Sequence, residues 1–238
     1  MNHNANPKSF CVLFKMNSDH NSLLLTPLSI SLELDSLNLL QSALTGSQND
    51  LSSFANDSDF TQKMAIAFGD SIDPSQLQTA WLNGDFSSFP PIEVRYQSDL
   101  NGTYGAYSSL NRVIYLSYEY LQQVTDVEDL TALLLEEYGH HLDVLLNGNV
   151  DTEGDEGAIF ARVVQGETIT VEELQALQAE DDTGIITLDG QTITVEGSSD
   201  LDESSNGSTE IASTALYVAN ILSSGLIVEE VELNNSHL

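Results

Sequence analysis

Hydrophobic and polar positions repeat along this chain with two different periods. Apolar residues at helical spacing predict helices, and period-two alternation predicts strands. The predicted helices cover 54–68, 74–82, 118–124, 126–147, 155–164 and 171–180. The predicted strands cover 92–96 and 112–117, residues 104–111 predict a turn-rich connection, and a hairpin over 185–195 turns at Asp189-Gly190. We therefore expect an α+β fold in which a small sheet packs on the long helix 126–147.

The two ends of the chain lack such periodicity. Residues 1–50 are rich in Asn, Ser and Leu without a clear period, which predicts a loosely structured N-terminal segment. Residues 198–238 are rich in Ser and acids, which predicts a flexible tail. Residues 211–228 carry no charge, but polar residues dilute them too much for a membrane span. The expected domain is therefore 51–197.

The charge balance narrows the possible partners. Thirty-seven acidic residues against six basic ones give a formal charge of −31. Such a field repels nucleic acid and anionic lipid and attracts divalent cations. The single cysteine, Cys11, excludes an internal disulfide and a cysteine-based zinc site.

The long helix carries the candidate chemistry. Residues 136–140 read Glu-Glu-Tyr-Gly-His, the His-Glu-x-x-His pattern of zinc proteases with its first histidine replaced by glutamate. Residues four apart share a helix face, so Glu136 and His140 are candidate metal ligands. Glu137, one step around the helix, is the candidate general base. Gly139, in mid-helix, indicates close packing against another element.

A third ligand must come from outside this helix, because a zinc hydrolase holds its ion with three protein ligands and leaves a position for water. Glu156, in Gly154-Asp-Glu-Gly, is the best candidate. His141, Asp143 and Asp155 are the expected supporting residues around the ligands. Alternatively, Asp155 belongs to an acidic calcium-binding loop with Asp151 and Glu153, or to a solvated turn.

These residues carry a resemblance to known proteins. Asp155-Glu156-Gly157 resembles the element that supplies the third ligand in glutamate zincins. Residues 54–196 also resemble a module of bacterial secreted proteins that carry calcium-binding repeats, in three blocks: 135–143, 154–160 and 180–196. The repeats themselves are missing here. The resemblance implies a zincin-like fold, zinc-dependent hydrolysis of a peptide or protein, and a secreted or cell-surface location without a cleavable N-terminal signal, with the cytoplasm as the alternative.

The glutamate at position 136 leaves a second interpretation open. An added carboxylate lowers the Lewis acidity of a bound metal and favours manganese, iron or calcium over zinc. The leading hypothesis is a metallopeptidase with an altered first ligand. The rival is a catalytically inactive secreted or surface module, a pseudoenzyme associated with calcium binding or export.

Overall fold

A computed structural model describes residues 12–15, 22–24, 32–148 and 152–197. Within these ranges the fold is α+β. The helices are α1 (Leu34–Ala55), α2 (Phe60–Phe68), α3 (Ser75–Leu82), α4 (Tyr118–Gln123), α5 (Val127–Asn147), α6 (Glu156–Val164) and α7 (Val171–Leu177). The strands are β1 (Val12–Lys15), β2 (Ser22–Leu24), β3 (Ile92–Arg95), β4 (Gly105–Ser108), β5 (Val113–Ser117), β6 (Thr183–Leu188) and β7 (Gln191–Glu196).

The strands form one sheet in the order β2-β1-β3-β5-β4-β7-β6. The pair β3–β5 is parallel and the other pairs are antiparallel. The hairpin β6–β7 turns at Asp189 and Gly190, whose φ angles of 52° and 81° suit a tight two-residue turn. The predicted hairpin and its turn are therefore confirmed.

Alternate strand residues separate two hydrophobic cores. Ile114 and Leu116 point into the main core with the helices, whereas Tyr115 joins a smaller core beneath the hairpin. This alternation follows from the two-residue period of a strand. The main core contains eight buried aromatic residues: Phe54, Phe60, Phe68, Trp81, Phe89, Tyr107, Tyr138 and Phe160.

Helix α5 is the centre of the fold and packs on α6, α1 and β4. It begins as predicted, because the Asp126 side chain accepts a hydrogen bond from the backbone N–H of Glu128. Gly139 explains how closely α6 approaches: a Cβ at this position would lie 2.7 Å from Gly157 Cα. Two glycines thus let the two backbones nearly touch, which confirms the close packing that Gly139 predicts.

Two predictions about the fold are wrong. The packed structure starts before residue 51, because α1 already begins at Leu34 and buries Leu40 and Leu44. Its buried face also includes Ser36 and Ser47, whose hydroxyls bond to backbone carbonyls and which disguise the apolar period. The connection predicted at 104–111 contains β4, which is short but pairs with β5 on one side and β7 on the other.

Smaller differences concern helix limits. The helix predicted over 54–68 is divided by a turn between α1 and α2. The predicted flexible tail 198–238 and its uncharged segment 211–228 lie outside the described residues, as does Asp151 of the alternative calcium loop. In the part of the chain that is described, no helix has the length and apolar character needed to cross a bilayer.

Candidate metal centre

His140 lies where α5 crosses α6, and the glycine pair puts it there. A Cβ on Gly157 would lie 2.6 Å from the Glu136 carbonyl oxygen and 2.6 Å from His140 Nε2. Only glycine leaves room for the imidazole at this crossing. Glu156 precedes Gly157 in the first turn of α6, so the same crossing brings the Glu156 carboxylate against the His140 ring.

Four carboxylates surround the His140 imidazole. Glu156 Oε1 lies 3.0 Å from Nδ1, and Glu196 Oε2 lies 3.7 Å from the same atom. Asp182 Oδ2 lies 3.5 Å from Nε2, and Asp155 Oδ1 lies 3.9 Å from it. His140 is completely buried and Glu156 is 1% exposed. The centre therefore encloses one buried imidazole among four carboxylates.

These groups form two sets that could hold a metal ion. Glu136, His140 and Asp155 form one, and His140, Glu156 and Asp182 form the other; in each set the ligand atoms lie within 4.8 Å of one another. The predicted ligands Glu136 and Glu156 thus both join His140, but in different sets. Asp155, predicted as a supporting residue, belongs to the first set and also caps α6 by accepting a hydrogen bond from Ala158 N–H at 2.7 Å.

Several polar atoms at this centre have no hydrogen-bond partner. They are both carboxylate oxygens of Glu137, Nε2 of His140 and Oδ2 of Asp182, and all are buried. Leaving a buried polar group unpartnered costs about 1–3 kcal/mol, and more when the group is charged. Such atoms gathered around one imidazole fit a site that binds a cation.

Glu137 is held beneath the first residue of β4. A Cβ on Gly105 would lie 2.5 Å from Glu137 Oε1, so the strand passes directly over the carboxylate. Burial raises the pKa of Glu137 well above its ordinary value, the charge of His140 opposes the rise, and Glu136, Asp155 and Asp182 add to it. The candidate base is thus enclosed and lies within the electrostatic reach of the ligand sets.

The close packing of acidic groups also shifts the pKa values of Asp182, Glu156 and His140. Burial raises the pKa of Asp182 to about 7 and also raises the pKa of Glu156. Burial alone would lower the pKa of His140. The hydrogen bond to Glu156 and the charges of Glu156, Glu137 and Asp182 outweigh this effect and raise the pKa well above its ordinary value. The carboxylates around the ring thus favour positive charge at this centre.

Two predicted supporting residues lie elsewhere. His141 Nδ1 is hydrogen-bonded to the Tyr107 hydroxyl at 2.8 Å, and burial lowers the pKa of this imidazole to about 4. It therefore joins α5 to β4 as a neutral side chain. Asp143 accepts hydrogen bonds from Asn147 at 2.8 Å and from the Thr152 hydroxyl at 2.5 Å, which fixes the chain on both sides of the α5–α6 loop.

A cavity opens on one side of the centre. Its volume is about 360 Å³, and Glu136 and Asp155 of the first ligand set form part of its wall. It runs along α6 to Arg162 and is bounded by Leu177 and Glu180 near the end of α7. Ligand pockets generally measure about 300–1,000 Å³, so the space suits a small substrate or part of a peptide.

No family model, curated protein or solved structure matches this chain. The resemblance to glutamate zincins therefore stays a prediction. The assignment of chemistry to the centre depends on its own geometry.

Asp182 and Glu196 are absent from the predicted site. They bracket the hairpin: Asp182 directly precedes β6, and Glu196 ends β7 opposite Thr183. The only signal in the sequence is that both acids fall in the third block of the resemblance, to which no role is assigned. Strand pairing turns them toward His140, and a local helical pattern contains no information about that pairing.

Proposed function

We propose that this protein is a metal-dependent hydrolase of the metallopeptidase type with an altered first ligand. The observation that carries the proposal is the group of buried, unpartnered atoms of Glu137, His140 and Asp182. A substrate-sized cavity lies nearby, and its wall includes Glu136 and Asp155 of the same centre. A divalent ion held by these residues would supply Lewis acidity for a peptide carbonyl and would make water a stronger acid.

The ligands suit a divalent cation. His140 contributes nitrogen, and Glu136, Asp155, Glu156 and Asp182 contribute carboxylate oxygen. Zinc accepts this combination and is the first metal to test, whereas the excess of oxygen also suits manganese, iron or calcium. The ion would supply the positive charge that the carboxylates around His140 favour.

Glu137 is the residue for proton transfer. It follows Glu136 on α5, makes no hydrogen bond through either oxygen, and interacts electrostatically with His140 and Asp155. A general base near neutral pH works best when its pKa is close to the working pH, and burial moves the pKa of Glu137 upward in that direction. Glu137 would take the proton from the attacking water and return it to the leaving amine.

The cavity defines where a peptide would lie. Because Glu136 and Asp155 form its wall, a substrate in the cavity would meet the first ligand set before the second. Its other walls contain Arg162 and Leu177, which offer a charged and an apolar contact to a peptide.

The test is a Glu137→Gln variant. We expect hydrolysis of a mixed peptide library by the zinc-loaded protein to fall by about 10²- to 10⁴-fold, since that is the usual contribution of a general base. Bound zinc, measured by mass spectrometry, should stay at the parent level. The Glu128→Gln variant is the control, because Glu128 lies on the same helix but is exposed.

The result that contradicts the proposal is a Glu137→Gln variant that hydrolyses peptides as fast as the parent protein. A parent protein that binds metal yet cleaves no peptide would favour a second candidate function, a non-catalytic metal-binding module. One observation favours it: the hairpin carboxylates of Asp182 and Glu196 lie 3.5 Å and 3.7 Å from the ring nitrogens of His140, which is completely buried.

A further inference from the structure

We infer that Asp182 of the hairpin is a metal ligand and that Glu156 is a positioning residue, which holds His140 in the orientation and tautomer that metal binding requires. The inference rests on the proposed metal-binding function and assigns its ligands. It reverses the roles expected from the sequence, in which Glu156 is the third ligand and residues after α7 have no role.

The two nitrogens of His140 have different surroundings. Nδ1 lies 3.0 Å from Glu156 Oε1, a normal hydrogen-bond length. In a neutral imidazole that binds metal through Nε2, Nδ1 carries the proton and its N–H donates a hydrogen bond to the Glu156 carboxylate. Nε2 is then the nitrogen with a free lone pair, and it is also the one without a hydrogen-bond partner. In metal sites, a ligating histidine usually donates its other N–H to a carboxylate in this way.

The distance to Asp182 fits two ligands of one ion. Two atoms that each lie 2.0–2.1 Å from a tetrahedral ion are separated by about 3.3 Å. Asp182 Oδ2 and His140 Nε2 are 3.5 Å apart, and neither makes a hydrogen bond. Asp155 Oδ1 lies 3.9 Å from the same nitrogen but belongs to the other ligand set. Asp182 Oδ2 therefore lies against the nitrogen that has no hydrogen-bond partner, whereas Glu156 Oε1 lies against the opposite nitrogen.

Contacts with β4 fix the end of the hairpin that carries Asp182. Gly197 N–H donates to the Asp182 carbonyl at 3.2 Å, which closes the open end of the hairpin. A Cβ on Gly197 would lie 2.7 Å from the Gly105 carbonyl oxygen, so the hairpin end rests directly on β4. Asp182 is thus held by the same strand that covers Glu137.

The experiment is a titration of metal-free protein with Zn²⁺ by isothermal calorimetry. Asp182→Asn should weaken Zn²⁺ binding by more than about 100-fold, because loss of a ligand exceeds the 10- to 100-fold effect of a supporting residue. Asp181→Asn is the matched control: this neighbour is exposed, loses the same charge, and should bind Zn²⁺ as the parent does. Circular dichroism of each variant checks that it is folded.

Two Glu156 variants test the positioning role. Gln keeps an oxygen that accepts from Nδ1–H, whereas Leu removes the acceptor. We expect Glu156→Gln to bind Zn²⁺ within about 10-fold of the parent and Glu156→Leu to lose about 10- to 100-fold. The visible absorption spectrum of Co²⁺ should keep its parent shape in Glu156→Gln and change in Asp182→Asn, because only the latter alters the ligands.

The inference is overturned if a folded Asp182→Asn variant binds Zn²⁺ like Asp181→Asn, or if Glu156→Gln loses binding as completely as Asp182→Asn. Neither outcome depends on peptide cleavage. A protein whose Zn²⁺ binding requires Asp182 but which hydrolyses nothing would retain this inference and lose the peptidase proposal. A protein that hydrolyses peptides without needing Asp182 would retain the peptidase proposal and lose this inference.

Discussion

Helix α5 presents two buried sides with opposite character. On one side Tyr138 stacks on Phe89 with ring centroids 4.5 Å apart, and its hydroxyl is hydrogen-bonded to the Ser88 side chain at 2.6 Å. On the other side Glu137 and His140 have buried polar atoms without hydrogen-bond partners. The first side is what a stable core requires, and the second is costly unless something binds there.

Under the proposed function, the contrast separates residues that maintain the fold from residues that bind metal and substrate. Unpartnered charge in a core is retained where function requires it. Truncating the aromatic side should therefore greatly weaken the fold. Changes on the charged side should alter metal binding and leave the fold intact or strengthen it.

The largest expected effect is on the aromatic side. Phe160 is completely buried and contacts the rings of Phe54, Phe68, Trp81 and Tyr138. Phe160→Ala should lower the free energy of unfolding by about 3–5 kcal/mol, because it removes a large apolar group and leaves a cavity. Urea unfolding of the metal-free protein measures the change.

Leu110→Ala is the control for this prediction, since Leu110 is 79% exposed and its loss should change stability by less than about 0.5 kcal/mol. A Phe160→Ala variant as stable as the Leu110→Ala variant would show that the aromatic cluster is not the main support of the fold.

The next effect is on the charged side and has the opposite sign. Zn²⁺ in hundred-fold excess over its Kd should raise the free energy of unfolding by about 2.7 kcal/mol, because the ion binds the folded chain. In His140→Ala the increase should disappear, since His140 belongs to both ligand sets. Unfolding each protein with Zn²⁺ and with a chelator measures the increase within that protein. An equal increase in both would place the metal elsewhere.

The same contrast explains how far the sequence could predict this molecule. Local sequence patterns predict helix α5, its cap at Asp126 and the hairpin turn. A single helix crossing then brings Glu156 close to Glu136 and His140. Local periodicity does not predict helix α1, because its buried face includes serines that hydrogen-bond to backbone carbonyls. Asp182 and Glu196 reach His140 only through pairing between distant strands, which no local pattern encodes.

The smallest effect concerns Glu137 in the metal-free protein. Glu137→Met replaces two buried, unpartnered oxygens with a flexible apolar chain of similar length. We expect the free energy of unfolding to rise by about 1–3 kcal/mol, which is the cost of one such group. Urea unfolding in a chelator measures it, with the exposed Glu153→Met as the control, expected within about 0.5 kcal/mol of the parent. A loss of stability in Glu137→Met would mean that this carboxylate supports the fold, and the distinction between the two sides of α5 would no longer hold.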